Sequence, residues 1–420
     1  MATGYLELLR TKHTLRLLVG TLVGRLPYGT APLAIVLFTR SEGGSYSLAG
    51  VLAALYGLAT AVGQPLLGRL VDIHGQPRVM FPSAVVSAAA MGVFALAGLS
   101  STAVAAGAIL VAGVTTPPLE GGLRALWPSV LGRPDRIHRA YALDAVTQEV
   151  MFAAGPLLVT VTVAMWSEAA ALLVINAIGV LGALSVVISL PSRRWRSAPR
   201  QAHWLGALRS PGLLALLGCF LFVGAALGSI SVAAVAYADS RGNELIAGYL
   251  LSALAGGALA GGLVYGGRTW ASRPERRLQV LVAALAAGYL PLLLVPADVA
   301  VMTALAGLSG VFLAPALACA FVAIDEHAPE GTVTEAFSWL VTTFGVGAAA
   351  GTAVVGPVIE WGGDAAGFAV AAVSGSAGLV VLLATGRVLA APVRAATAAA
   401  YTENDRNTTP EPGLQTGHQA

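Results

Sequence analysis

Apolar residues run along this chain in blocks of about twenty, and polar residues gather in the short gaps between them. A helix needs roughly 20 apolar residues to cross a hydrocarbon core about 30 Å thick. Blocks of that length lie at 15–38, 46–68, 78–99, 102–131, 138–164 and 168–190. A polar, arginine-rich interruption follows, PSRRWRSAPRQAHWLGALRSP, and six more blocks lie at 212–237, 246–267, 278–297, 299–323, 333–358 and 366–390. The pattern predicts twelve transmembrane helices: an N-terminal six-helix bundle over 1–190, a basic linker over 191–211 and a C-terminal six-helix bundle over 212–392. The stretch 393–420 has almost no large apolar side chains and is expected to be a disordered tail. The N-terminus MATGYLELLRTKHTLRLLVG places positive charge before an apolar run, as a secretory signal does. That run continues through Phe38 without a small-residue cleavage site, so it reads as the first membrane anchor.

Composition makes the same case. Only 11% of residues are charged and 56% are hydrophobic, whereas a soluble domain carries about 25% charged residues. The fold class expected is therefore all-α integral membrane. A net charge of +3, with no soluble domain to hold a basic patch, argues against nucleic acid as a partner. Cys219 and Cys319 fall inside apolar blocks and read as small packing residues rather than a disulfide or a zinc site. The six histidines lie in loops or at span ends, so intramembrane zinc or serine–histidine chemistry lacks a base. No G-x-x-x-x-G-K-[ST] loop is present to power an ATP-driven pump. An enzyme is not expected, nor is a cofactor or a resident metal.

Basic residues set the orientation, because arginine-rich loops stay in the cytoplasm. With the N-terminus inside, the inner segments receive Arg10, Lys12, Arg69, Arg78, Arg133, Arg136, Arg139, Arg193, Arg194, Arg196, Arg200, Arg209, Arg273, Arg276, Arg277, Arg387 and Arg394, and the outer loops only Arg40 and Arg241. Both termini and the central linker are expected to be cytoplasmic. Two halves of six spans suggest parallel repeats about an axis along the membrane normal. AYALDAVTQEVMFAAG (140–155) aligns without gaps to AFSWLVTTFGVGAAAG (336–351), each in the fifth span of its half.

Between the second and third blocks stands GRLVDIHGQPR, residues 68–78. It resembles the loop signature of the major facilitator superfamily, G-x-x-x-D-[RK]-x-G-[RK]-[RK], with Gly68, Asp72 and Gly75 in place. Ile73, Gln76 and Pro77 depart from the pattern, and Arg78 sits one place on. The resemblance implies a latch that closes the cytoplasmic side when the cavity opens outward. Asp72 could serve it at the positive end of a neighbouring helix, or by pairing with Arg69 or Arg78. Gly155 and Pro156 resemble part of the fifth-helix motif of drug/proton antiporters, although Met151 replaces an expected glycine. GRLPYGTAPLAIVLF, RALWPSVLG, AYALDAVTQE and EAFSWLVTTFGVGAAAG look like a group of actinobacterial facilitator proteins described as transporters or efflux proteins.

Charges buried in the spans are the candidate chemistry. Ionisable residues are costly in a bilayer and mark functional sites by default. Arg25 lies about ten residues into the first span, roughly 15 Å deep, and Glu120 and Glu149 lie at a similar depth in the fourth and fifth. Arg124 and Asp144 form a shallower level. Glu120 and Arg124 share a helix face, whereas Asp144 and Glu149 stand about 140° apart. The simplest wiring pairs Arg124 with Asp144 and leaves Arg25 facing Glu149 first, Glu120 second, or both. Two cations against three acids leave one acid as a candidate proton site, and a structural role for the whole set stands beside that reading. In the second half, Phe220, Trp339, Thr343 and Phe344 are candidates for the substrate cavity. Small residues at spacing four in GGALAGG (256–262) and GVGAAAG (345–351) allow close helix approach.

The expectation is a monomeric secondary active transporter in a bacterial cytoplasmic membrane. It would move a small, amphipathic organic solute by alternating access, with protons as coupling ion and efflux as direction. Proton-coupled or facilitative uptake, and a transport-inactive sensor or scaffold, are the alternatives.

Overall fold

The computed structural model describes residues 2–199, 203–243, 245–268, 270 and 272–390, and every regular element among them is helical. The first half comprises α1 (Ala2–Arg10), α2 (Thr14–Ser41), α3 (Tyr46–His74), α4 (Gln76–Ala97), α5 (Thr102–Val114), α6 (Leu119–Leu131), α7 (Pro134–Met165) and α8 (Glu168–Val187). A short α9 (Leu190–Arg194) and a 3-10 turn (Gly206–Arg209) follow. The second half comprises α10 (Pro211–Asp239), α11 (Leu245–Gly266), α12 (Pro274–Tyr289), α13 (Val299–Gly310), α14 (Leu313–His327), α15 (Val333–Ala384) and α16 (Gly386–Leu389). Residues 393–420 and 200–202 of the expected tail and linker lie outside the described residues.

Eleven helical stretches among the described residues are long and apolar enough to cross a membrane, and the last of them, α15, runs for 52 residues. It bends at Gly363, whose φ of 68° and ψ of −167° are open essentially to glycine alone. The bend falls between the last two apolar blocks and divides α15 into two crossings, so all twelve blocks are present as helical spans.

Two crossings are broken within the membrane. α13 and α14 together make one. α5 and α6 make another, interrupted where Pro117 and Pro118 supply no backbone N–H. Backbone exposed at that depth must find partners inside the protein. Gln64 of α3 provides one, donating to the Thr116 carbonyl at 3.2 Å, and the Thr116 hydroxyl meets that of Tyr56 at 3.2 Å. The break places Glu120 in the first turn of α6, where the positive end of the helix favours a carboxylate.

α1 answers to no apolar block. Its Tyr5 hydroxyl donates to the Leu263 carbonyl of α11 at 3.2 Å, and its Glu7 pairs with Arg136 at 2.7 Å, which straps the N-terminus across both halves. Arg277, assigned above to a loop, is instead only 8% exposed within α12. Its Nε approaches Cys319 Sγ at 3.5 Å, and its guanidinium lies 5.6 Å from the Tyr265 ring centroid.

Small residues set the tightest helix pair. Gly224 and Gly228 of α10 face the backbone of Phe344 and Ala348, while Gly347 and Gly351 of α15 face that of Leu221 and Ala225. Gly351→Leu should therefore lower the unfolding midpoint, with an overpacking cost of about 1–3 kcal/mol or more. Gly356→Leu, one turn on and facing open space, should leave it unchanged. Equal midpoints for the two variants would refute this packing.

Candidate functional site

Three first-half helices deliver charge to one buried point. Arg25 comes from α2, Glu120 and Arg124 from α6, and Asp144 from α7, and none is more than 6% exposed. Arg25 forms an ion pair with Glu120, and its Nη1 lies 3.4 Å from Asp144 Oδ1. Arg124 Nε reaches Asp144 Oδ2 at 2.6 Å, and its Nη2 lies 3.3 Å from Glu120 Oε2. Each cation thus sees both anions, and the formal charges cancel. That balance offsets desolvation costs of several kcal/mol per isolated ion. Gln148 Oε1 accepts from Arg25 Nη2 at 3.4 Å and from Arg124 Nη2 at 3.2 Å. Arg25 Nε is buried and has no hydrogen-bond partner among the described residues. The second half also contributes, because the Arg124 guanidinium stacks 3.7 Å above the Phe321 ring centroid of α14.

The sequence reading of Arg124 with Asp144 matches this geometry, but its first choice for Arg25 does not. Glu149 stands apart from the network, because five residues after Asp144 turn it about 140° away. Gln148, four residues after Asp144, takes the place on the facing side. As a neutral residue it carries no signal in a search for charges.

Beside the network lies a cavity of about 450 Å³ between α2, α3 and α15, bordered by Tyr28, Tyr56, Thr60, Gln64, Thr342 and Val346 among others. Its wall is largely apolar. Tyr28 and Gln64 also border the recess that holds Arg25 and Glu120, so they stand between the apolar space and the charges. Phe344 lines a second recess together with Glu120, Arg124 and Gln148. The other second-half candidates are placed differently. Phe220 is fully buried in the core, since it lies one turn before Gly224 on the α10 face that packs on α15. Trp339 packs against the same core, and the Thr343 hydroxyl bonds its own helix at the Trp339 and Leu340 carbonyls. Thr342 faces the first half instead, donating to the Ala61 carbonyl at 3.1 Å.

The loop motif joins the halves at the arginine-rich end. The Asp72 carboxylate accepts from the backbone N–H groups of Thr334 at 3.1 Å and Glu335 at 2.9 Å, which are orphan donors at the start of α15. Gly68 lets α3 come against Ser338 and the Glu335 backbone, and Gly75 turns the chain at φ 87°. Arg69 donates to the His203 and Trp204 carbonyls of the linker, and Arg78 is exposed with no ion pair among the described residues. Gln76, a departure from the motif, is fully buried. It donates to the Gly122 carbonyl at 2.9 Å and accepts from Ser192 at 2.8 Å, tying α4, α6 and α9.

Comparison with known proteins adds the following. The family model of the Major Facilitator Superfamily matches residues 17–352. No curated protein matches. Among solved structures, the fold is similar to that of the human organic anion transporter MFSD10 (TETRAN), with TM-score 0.66 and 17% identity over 88% of this chain and 98% of that one. It is also similar to a bacterial homologue of the iron transporter ferroportin in an outward-facing state, with TM-score 0.69 and 14% identity over 89% of this chain and 99% of that one.

Proposed function

This chain belongs to the major facilitator superfamily, and from that premise we propose that it is a proton-coupled secondary transporter exporting a small amphipathic organic solute. It is a multi-pass membrane transporter and not an enzyme. The observation that carries the finer reading is the charge-balanced set of Arg25, Glu120, Arg124 and Asp144 beside a largely apolar cavity. The apolar wall suits the body of an amphipathic solute. Tyr28, Gln64 and the unpartnered Arg25 Nε offer polar contacts for its head. A proton on Glu120 or Asp144 unbalances the four charges and loosens Arg25, and Glu149, outside the network, is a third carboxylate able to hold one. Either event gives proton occupancy a means of changing what the cavity binds.

Alternating access supplies the rest of the mechanism. The Asp72 contact to the start of α15 holds the halves together at the arginine-rich end, while the cavity lies farther along the spans. On the orientation set by the basic loops, that end is cytoplasmic and this conformation faces outward. Cysteines placed near Arg194 should label only from the cytoplasm, and one at Gly242 only from outside; the reverse pattern would invert the topology.

The transport reading is tested in liposomes. Solutes found by a thermal-shift screen of purified protein should move against an imposed proton gradient in wild type, and Glu149→Gln should slow that movement by on the order of tenfold. Movement in wild type that ignores the proton gradient would remove proton coupling. Complete absence of flux for every binding solute would favour a sensor or scaffold.

A further inference from the structure

On the outer surface of the second half, away from the charge network, a groove of about 290 Å³ runs between α11, α12 and the α13–α14 junction. Its walls are apolar, formed by residues such as Ala260, Val264, Leu281 and Phe312. Val264 is 46% exposed, which in a membrane-spanning chain means contact with lipid rather than water. The floor is at Gly261, which packs against the Val311 backbone where α13 gives way to α14. From Gly261 to Arg268, seven residues at about 1.5 Å each, the groove spans about 10 Å, most of the depth of one leaflet's hydrocarbon.

The mouth of the groove is basic where Arg268 stands, and the adjoining start of α12 holds Arg273 and Arg276 against the single acid Glu275. Arg268 borders it, exposed, just beyond the end of α11. Arg273, also exposed, caps α12 one turn before the buried Arg277, and the N-terminus of that helix has no side-chain cap. Neither Arg268 nor Arg273 forms an ion pair or side-chain hydrogen bond among the described residues. Trp270 stands between them, its Nε1 donating to the Tyr265 carbonyl at 3.0 Å and its ring 5.1 Å from that of Tyr265. An indole beside arginines at the end of a span is the arrangement of a membrane–water interface.

We propose that this groove binds one phospholipid with an anionic headgroup, an acyl chain lying along the apolar walls and the phosphate against Arg268 and Arg273. On the orientation given above, the lipid belongs to the cytoplasmic leaflet. Charge complementarity selects this occupant: an uncharged tail alone would leave both guanidinium groups without a counterion, and a free anion would leave the apolar groove unfilled. Two interfacial arginines favour an anionic over a zwitterionic headgroup by about fivefold each, hence roughly 25-fold together when both reach the phosphate fully.

Site occupancy also bears on the contact between the halves. Tyr265, which lines the groove, sets its ring 4.9 Å from that of His138 of α7, the two planes tilted by 52°. A lipid seated there backs α11 against the first half.

Native mass spectrometry of full-length protein tests the site. Phosphatidylglycerol and phosphatidylcholine would be titrated into wild type, the Arg268→Ala/Arg273→Ala variant and Ala260→Trp, which fills the groove from its exposed side. Wild type should retain phosphatidylglycerol at least tenfold better than phosphatidylcholine. The arginine variant should lose that preference, and Ala260→Trp should lose the retained adduct while both variants keep the wild-type unfolding midpoint in detergent. Equal retention of the two lipids by wild type, or an undiminished preference in the arginine variant, would overturn the proposal. So would competition by inorganic phosphate at the same concentration as the lipid, because a bare anion does not need the groove.

Discussion

Arg25→Gln is expected to destabilise the protein by about 3–5 kcal/mol, because it leaves Glu120 and Asp144 sharing one cation in a low-dielectric site. Adding Glu120→Gln should recover most of that loss. The Arg124–Asp144 pair then remains intact at 2.6 Å, and the formal charge at the site returns to zero. Adding Glu149→Gln to Arg25→Gln instead restores the same total charge along the spans but not at the network, so it should rescue little. Unfolding midpoints of the three variants in detergent distinguish local pairing from overall charge. Equal rescue by either second substitution would show that Glu149 reaches the network after all. Solute flux supplies the other half of the test. If Arg25→Gln/Glu120→Gln is stable yet fails to move solute against a proton gradient, the pair serves transport; normal flux would make it a structural brace.

Asp72→Asn is expected to leave the fold intact and shift the balance between the two access states by about ten- to a hundredfold. The carboxylate accepts two backbone hydrogen bonds at the start of α15, and a charged acceptor is worth about 1.5–3 kcal/mol more than none. Asparagine keeps one acceptor, loses the charge that suits the helix end and turns an N–H₂ group toward donors. Labelling of a cysteine at Thr342, which faces the first half beside the cavity, should slow from the outer side and quicken from the cytoplasmic side. Unchanged labelling rates in well-folded protein would reduce the Asp72 contact to an ordinary helix cap.

Much of this arrangement is legible in the sequence because the membrane enforces it. Span length follows from bilayer thickness, and the depth of each charge follows from helix rise, so the Arg124–Asp144 pairing can be read by counting residues. Counting fails where direction around a helix matters. Glu149 lies at the right depth but faces away, and Phe220 has the right character but shares a face with Gly224. It fails too where the contributor is neutral: Gln148 completes the network and Gln64 satisfies the broken backbone, yet neither stands out from composition. Arg277 misleads for the opposite reason, since proximity to a loop says nothing of burial against Tyr265 and Cys319. The Pro117–Pro118 pair was the available signal for the break before Glu120, and an unbroken apolar count obscures it.

The cancellation of charge at the network has an electrical consequence. Each elementary charge moved through a potential of 100 mV exchanges about 2.3 kcal/mol with the field. A set of two arginines and two carboxylates that moves together exchanges none. Movement of these four side chains therefore draws no work from membrane voltage, whereas Glu149, buried on the same α7 but outside the set, carries its charge through the field whenever it is ionised and that helix rocks.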